Sequence, residues 1–217
     1  PDDAYGMEHE GELGKTECWY IIAADEGAEI IYGHHAQSKE ELRQMIEGKE
    51  WDDLLARVPV KAGDFFYVPS GTMHAIGSGI LILETQQSSD TTYRVYDFDR
   101  KDDQGNLREL HIEQSIDVLK LGAPANSRPV EEKVDHLSST LLVANDFFGV
   151  HKWVVSGEVR FEKTHDYSLL SVLSGQGSLQ VDGENYPIGK GDHFILTSDV
   201  ESWTLEGQDL ELIVSHP

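Results

Sequence analysis

Short runs of Val, Ile, Phe, Tyr and Leu recur along the chain between clusters of Gly, Pro, Asp and Ser. That is the signature of β-strands bounded by turns. It predicts strands over 17–23, 28–32, 64–68, 80–86 and 92–97 in the first half. In the second half it predicts them over 141–143, 147–155, 168–173, 177–181, 193–197, 202–205 and 210–214. Asp182-Gly183, set between Val181 and Glu184, reads as a two-residue hairpin turn, whose central positions need φ > 0.

Two segments change period. Over 38–58 the apolar residues Leu42, Met45 and Ile46, then Trp51, Leu54 and Leu55, recur at helical spacing. Ser38 with Glu41 makes a capping-box pattern, and Gly48 divides the segment into two pieces. A second helix is expected over 110–121, with Ile112, Ile116 and Leu119 on one face and Gly122 as its stop. Residues 123–137 hold Pro124, Pro129 and Glu131-Glu132-Lys133 without a strand pattern. They read as a linker between a first domain, 1–122 with a helical insert at about 38–58, and a second domain, 138–217.

The halves resemble each other. Val60-Lys61-Ala62-Gly63-Asp64-Phe65-Phe66 matches Ile188-Gly189-Lys190-Gly191-Asp192-His193-Phe194 in type, at an offset of 128. A repeat of that length built from short strands points to two jelly rolls or small barrels, not a solenoid.

Candidate chemistry follows the first copy. Gly63 to His74 reads G-D-F-F-Y-V-P-S-G-T-M-H, which matches the second cupin motif, G-x5-P-x-G-x2-H, at each defined position. Pro69 and Gly71 turn the chain so that His74 points into the barrel mouth, where metal-binding cupins place a ligand. A lone His is more often a structural group; the twelve-residue pattern favours the ligand. In the second copy the corresponding positions are Thr197 and Ser202, so no metal is expected there. Upstream, Glu17 shares a strand face with Trp19 and Ile21, with Lys15 at its end. An acid among apolar neighbours needs a cation or a metal; spacing alone leaves a solvent-facing Glu17 equally open. His9, His34 and His35 read as loop histidines, and His193 has no ligand role.

Composition narrows the classes. The chain has 217 residues, with 40 acidic side chains against 17 Lys and Arg, a net charge of −23. No basic stripe is present to displace counterions from nucleic acid. No Lys/Arg-rich amphipathic face or apolar run of about 20 residues suggests a membrane. The single Cys18 excludes an internal disulfide and fits a cytoplasmic location.

From Pro1 to about Gly122 the chain closely resembles the type I phosphomannose isomerases (mannose-6-phosphate isomerases) in their short bacterial form. Pro1-Asp2-Asp3, Gly14-Lys15-Thr16-Glu17-Cys18-Trp19-Tyr20, Val68-Pro69-Ser70-Gly71-Thr72-Met73-His74 and Glu84-Thr85-Gln86 through Thr92-Tyr93-Arg94-Val95-Tyr96-Asp97 carry the match. The resemblance implies a mainly β chain of two cupin-type jelly rolls with short helices, the first incomplete at its N-terminus. It implies one Zn2+ in the catalytic barrel, bound by a Gln-x-His pair, a Glu matching Glu17 and a His matching His74. The pair belongs immediately before Pro1-Asp2-Asp3, so the chain is expected to be a fragment of a longer enzyme. Arg94 matches the family's active-site arginine, with Lys15 and Glu84 as further catalytic candidates. Arg100 and Lys101 read as a solvated turn.

The expected activity is isomerisation of a small sugar phosphate, mannose 6-phosphate to fructose 6-phosphate. The alternatives are a non-catalytic sugar-binding or regulatory cupin module, or an inactive fragment of the isomerase. An iron-dependent cupin oxidoreductase is weakened because no His-x-His precedes a Glu at the required spacing. The charge sharpens the expectation. A field of −23 repels a phosphate dianion at long range, so the site must be a local positive island.

Overall fold

Strands carry 47% of the residues and helices 12% in the computed structural model, which describes residues 1–217, so the chain is mainly β. It divides into two units, Pro1–Asn126 and Ser127–Pro217. No helix is long and apolar enough to cross a membrane.

The first unit runs α1 (Asp3–His9), β1 (Glu17–Ala24), β2 (Glu29–His34), α2 (Lys39–Glu47), α3 (Trp51–Leu54), β3 (Leu55–Pro59), β4 (Phe65–Val68), β5 (His74–Ile76), β6 (Ile80–Gln86) and α4 (Ile112–Val118). Its strands form two antiparallel three-stranded sheets, β4-β1-β6 and β3-β2-β5. Trp19, Ile21, Ile30 and Val68 pack together from both sheets. Leu42 and Ile46 of α2, Leu54 of α3 and Ile116 of α4 close a second core over Ile31.

The second unit runs β7 (Val130–Val134), β8 (Leu137–Ala144), β9 (Gly149–Glu162), β10 (Ser168–Val181), β11 (Glu184–Gly189), β12 (His193–Leu196) and β13 (Ser202–His216). They form one antiparallel sheet in the order β11-β10-β13-β9-β8-β7, with β12 on β10. Leu205, Leu210 and Leu212 of β13 are fully buried in its core.

The internal repeat is visible in the hydrogen bonds. Gly63 and Gly191 both take φ +91°. The Gly63 N–H donates to Ile21 O at 2.8 Å, and the Gly191 N–H to Val172 O at 3.0 Å. Asp64 accepts from the Lys61 N–H at 2.9 Å, and Asp192 from the Gly189 N–H at 2.8 Å. A carboxylate tying down the residue three positions earlier, preceded by a left-handed glycine, builds the same turn twice. The Asp182-Gly183 hairpin forms as expected, with φ values of 52° and 82°.

Five expectations need correction, His9 among them: it lies in the last turn of α1, not in a loop. Residues 55–58, expected to continue the helical segment, pair with β2 as part of β3, and Pro59 disfavours helix at Val58. Residues 92–97 alternate like a strand but form a loop. There the Arg94 N–H donates to His111 Nδ1 at 3.1 Å and the His111 N–H to Arg94 O at 2.8 Å, and no neighbouring strand is paired. Residues 130–134 in the supposed linker form β7, a strand exposed at every position and paired only with β8, through its backbone and a Ser138–Glu131 hydrogen bond of 2.7 Å, so it carries no apolar alternation. His34 is not in a loop: it sits on β2, 7% exposed, with Nε2 3.1 Å from Lys120 O.

Helix α2 starts where its cap was read: the Ser38 side chain accepts from the Glu41 N–H at 3.1 Å. The Glu41 carboxylate reaches one residue further back than a capping box requires, to the Gln37 N–H at 2.7 Å.

Leu205→Ala should destabilise the second unit by about 2–5 kcal/mol. Urea unfolding followed by the fluorescence of Trp153 and Trp203, which line that core, reads the shift. An unchanged midpoint would show that Leu205 is not part of a continuous core.

Candidate active site

The site begins with a carboxylate where water is nearly absent. Glu17 opens β1, the central strand of its sheet, and its residue is 2% exposed. It pairs with Val68 on one side and Gln86 on the other. Its Oε1 lies 2.8 Å from His74 Nε2, and its Oε2 lies 3.9 Å from Lys15 Nζ.

His74 reaches Glu17 through the motif that singled it out. The Thr72 N–H donates to Pro69 O at 3.1 Å, closing the turn. Gly71 takes φ +85°, and a Cβ there would stand 2.6 Å from Val118 O, so conformation and space both require glycine. Beyond the turn, β5 pairs His74 with Tyr32 of β2. His74 Nδ1 lies 2.8 Å from Thr72 O, which fixes it as the donor and aims Nε2 at Glu17. The edge of the Trp19 indole packs on the imidazole at 5.3 Å.

These contacts govern protonation. Burial pushes the Glu17 carboxyl upward, but the hydrogen bond from His74 and its charge outweigh burial and hold it below the usual range. Burial alone would lower His74; Glu17 instead raises it. Glu84 lies opposite Trp19 on β6, two pairs along from Glu17. Desolvation and the negative charge of Glu17 raise its carboxyl. Two carboxyls on neighbouring strands are thus shifted in opposite directions, Glu17 down and Glu84 up.

A cavity of about 820 Å³ opens beside this pair. His74, Lys15 and Arg94 all line it. Arg94 is 19% exposed at its side chain, with Nη1 donating to Glu109 O at 2.9 Å and Nε 3.8 Å from Asp97. The structure therefore brings Lys15, His74 and Arg94 to one cavity; Glu17 stands behind His74 and Lys15, and Glu84 beside it on β6, without lining the cavity themselves. It also adds Arg100, Arg108 and Asp97 to the cavity lining. The sequence offers Asp97 only as an ion-pair partner of Arg94 and gives Arg108 no role; the signal for both is the density of Arg and Asp over 94–108. His9 lies in the last turn of α1, stacked on Tyr5 at 4.0 Å, and His193 bonds Ser171, so neither joins the site.

The second unit has no equivalent pair. Glu17 faces Val68, five residues beyond Gly63, and Ser168 faces Leu196, five residues beyond Gly191. Ser168 thus stands where Glu17 does, and Ser202 has the sequence position of His74.

A borderline cation suits the donors Glu17 and His74: one carboxylate oxygen and one imidazole nitrogen, both common zinc ligands. The buried Glu17 charge also calls for a cation. Yet no group of three or more His, Cys, Asp or Glu gathers closely enough to hold a metal. The chain supplies two donors on one wall, a partial fit.

The family model "Mannose-6-phosphate isomerase, cupin domain" matches residues 138–217. A mannose-6-phosphate isomerase of Streptococcus mutans is 66% identical over 216 residues, spanning 100% of this chain and 68% of that protein. The crystal structure of mannose 6-phosphate isomerase from Bacillus subtilis superposes with a TM-score of 0.94 at 46% identity, covering 100% of this chain and 69% of that one. A mannose 6-phosphate isomerase structure bound with zinc and yttrium shares the fold at a TM-score of 0.71 and 13% identity, covering 94% of this chain and 67% of that one.

The pair sets a pH window for the metal-free chain. The raised His74 contributes stability fully present below about pH 6.5, lost as pH rises through its folded value. The lowered Glu17 contributes stability present above about pH 4.5, lost as pH falls through its folded value. With chelator present, the unfolding midpoint should therefore fall from about pH 6 to about pH 9, and by less in His74→Gln. Equal slopes for the two proteins would show that the pair does not contribute.

Proposed function

This chain belongs to the mannose-6-phosphate isomerase family, and on that premise we propose that it interconverts mannose 6-phosphate and fructose 6-phosphate as a zinc-dependent aldose–ketose isomerase, through an enediol-like state. The observation that carries the reading is the Glu17–His74 contact of 2.8 Å beside a cavity that also holds Arg94. We place the enzyme in the cytoplasm. Its one cysteine, Cys18, is buried with its thiol pushed up to about 12, a group that needs no oxidising compartment.

The reaction takes a proton from C2 of the aldose and returns one to C1, while a hydroxyl proton moves between the two oxygens. Negative charge builds on the substrate oxygen along the way. Bound zinc would supply Lewis-acid stabilisation of that charge, with Glu17 and His74 among its ligands.

The remaining work falls to the chain's own side chains. The Arg94 guanidinium opposes the developing oxyanion. Glu84, its carboxyl raised by desolvation and by the charge of Glu17, is the candidate to exchange a proton with the sugar. Lys15 offers a hydrogen-bond donor to a sugar hydroxyl. Thr72 O accepts from His74 Nδ1 and so leaves Nε2, on the Glu17 side, as the nitrogen that would hold the metal.

One observation favours a second reading, sugar binding without turnover: only two metal donors come together in this chain. A coupled assay for fructose 6-phosphate, run with zinc analysis, separates the two. Near-stoichiometric zinc with turnover, and a loss of about 10²–10³ in kcat/KM for Arg94→Ala, is the isomerase outcome. Zinc should leave the protein in Glu17→Gln and in His74→Ala. Sugar binding by a zinc-free protein with no turnover would establish the second reading.

A further inference from the structure

The loop 92–111 is organised around one carboxylate. Asp97 is 6% exposed, and its Oδ1 receives a hydrogen bond from Arg100 Nη2. The same oxygen lies 3.5 Å from Arg108 Nη1 and 3.8 Å from Arg94 Nε. Arg100 Nε also donates to Asp97 O at 3.2 Å. The hydrogen bond and charge of Arg100, with Arg108 and Arg94 behind it, hold the Asp97 carboxyl below its usual range. Asp97 Oδ2 is buried without a hydrogen-bond partner. An ordinary ion pair would use both oxygens; here three guanidiniums crowd one.

The charge count is the clue. Arginine does not lose its proton in proteins. Three guanidiniums against one carboxylate leave two positive charges unbalanced. Arg94, Arg100, Arg108 and Asp97 all line the cavity that His74 and Lys15 line. Arg100 and Arg108 are 64% and 53% exposed at their side chains, so their forks are open to a ligand; Arg94 is 19% exposed. In a chain of net charge −23, two surplus positive charges in a cavity are the reverse of the surrounding field. A phosphate monoester near neutral pH carries about the opposite charge, −1.5 to −2. Its oxygens also match the planar fork of arginine.

We propose that Arg100 and Arg108, anchored on Asp97, form the subsite that grips the phosphate group of the substrate, leaving Arg94 for the reacting end of the sugar. The assignment rests on the isomerase reading for the identity of the sugar. Phosphate recognition itself requires neither zinc nor turnover.

The test uses the full chain and the double variant Arg100→Gln/Arg108→Gln, both at exposed positions. Calorimetry gives the affinity of each for mannose 6-phosphate, for inorganic phosphate and for unphosphorylated mannose. Loss of two charge-assisted contacts should weaken mannose 6-phosphate and inorganic phosphate by about 100-fold. The affinity for mannose should stay the same. Arg100→Lys/Arg108→Lys, which keeps the charge and loses the fork, should recover part of the loss. If the double glutamine variant does not fold, Arg108→Gln alone should weaken both phosphate ligands by about tenfold.

Three results overturn the proposal: affinity for mannose 6-phosphate unchanged within about twofold, mannose weakened in parallel, or no phosphate binding by the parent chain. Arginine-dependent binding of mannose 6-phosphate without turnover in zinc would keep the subsite and remove the isomerase reading. Turnover with an unchanged KM in the double variant would do the opposite.

Discussion

A carboxylate held out of water on a central strand is the constraint from which the first unit can be read. Glu17 has strands on both sides and 2% exposure, so its charge cannot be left to solvent. Three features answer that demand: an imidazole at 2.8 Å, an ammonium at 3.9 Å and a neighbouring acid pushed toward its neutral form. Each comes from a different stretch of chain. His74 arrives through a proline–glycine turn, Lys15 through the approach to β1, and Glu84 through the pairing of β6. The turn in turn depends on Gly71, whose missing Cβ lets it pass under Val118 O. Burying one acid thus dictates geometry in four places.

The second unit shows that the scaffold does not need that acid. It repeats the Gly–Asp turn with matching hydrogen bonds, yet has Ser168 where the first unit has Glu17. Hydroxyls impose no comparable demand when buried. The turn and the strand pairing are fold devices, and the charged pair is an addition to them.

Legibility followed the range of the interactions. Strands with apolar runs, the α2 cap, the Asp182-Gly183 hairpin and the duplicated turn are set by neighbours within a few residues, and all could be read from the chain. Resemblance to a known family supplied Arg94, which spacing alone would have left as a surface residue. The misreadings have long-range causes. Residues 92–97 alternate like a strand but satisfy their backbone through His111. β7 has no apolar face because it lies at a sheet edge in solvent. The gathering of Arg94, Arg100 and Arg108 on Asp97 depends on a loop path that no local pattern encodes.

The position of β7 carries a liability of another kind. It is the terminal strand of its sheet, so one row of its backbone N–H and C=O groups meets no strand. Such an edge is a template for pairing with other chains. Val130 and Val134, 54% and 65% exposed, would favour that pairing. Between them lie Glu131, Glu132 and Lys133, and a second copy adding edge to edge would have to bring these charges together. The charged centre of β7 therefore acts as a guard against aggregation, and the overall −23 charge reinforces it by keeping copies apart.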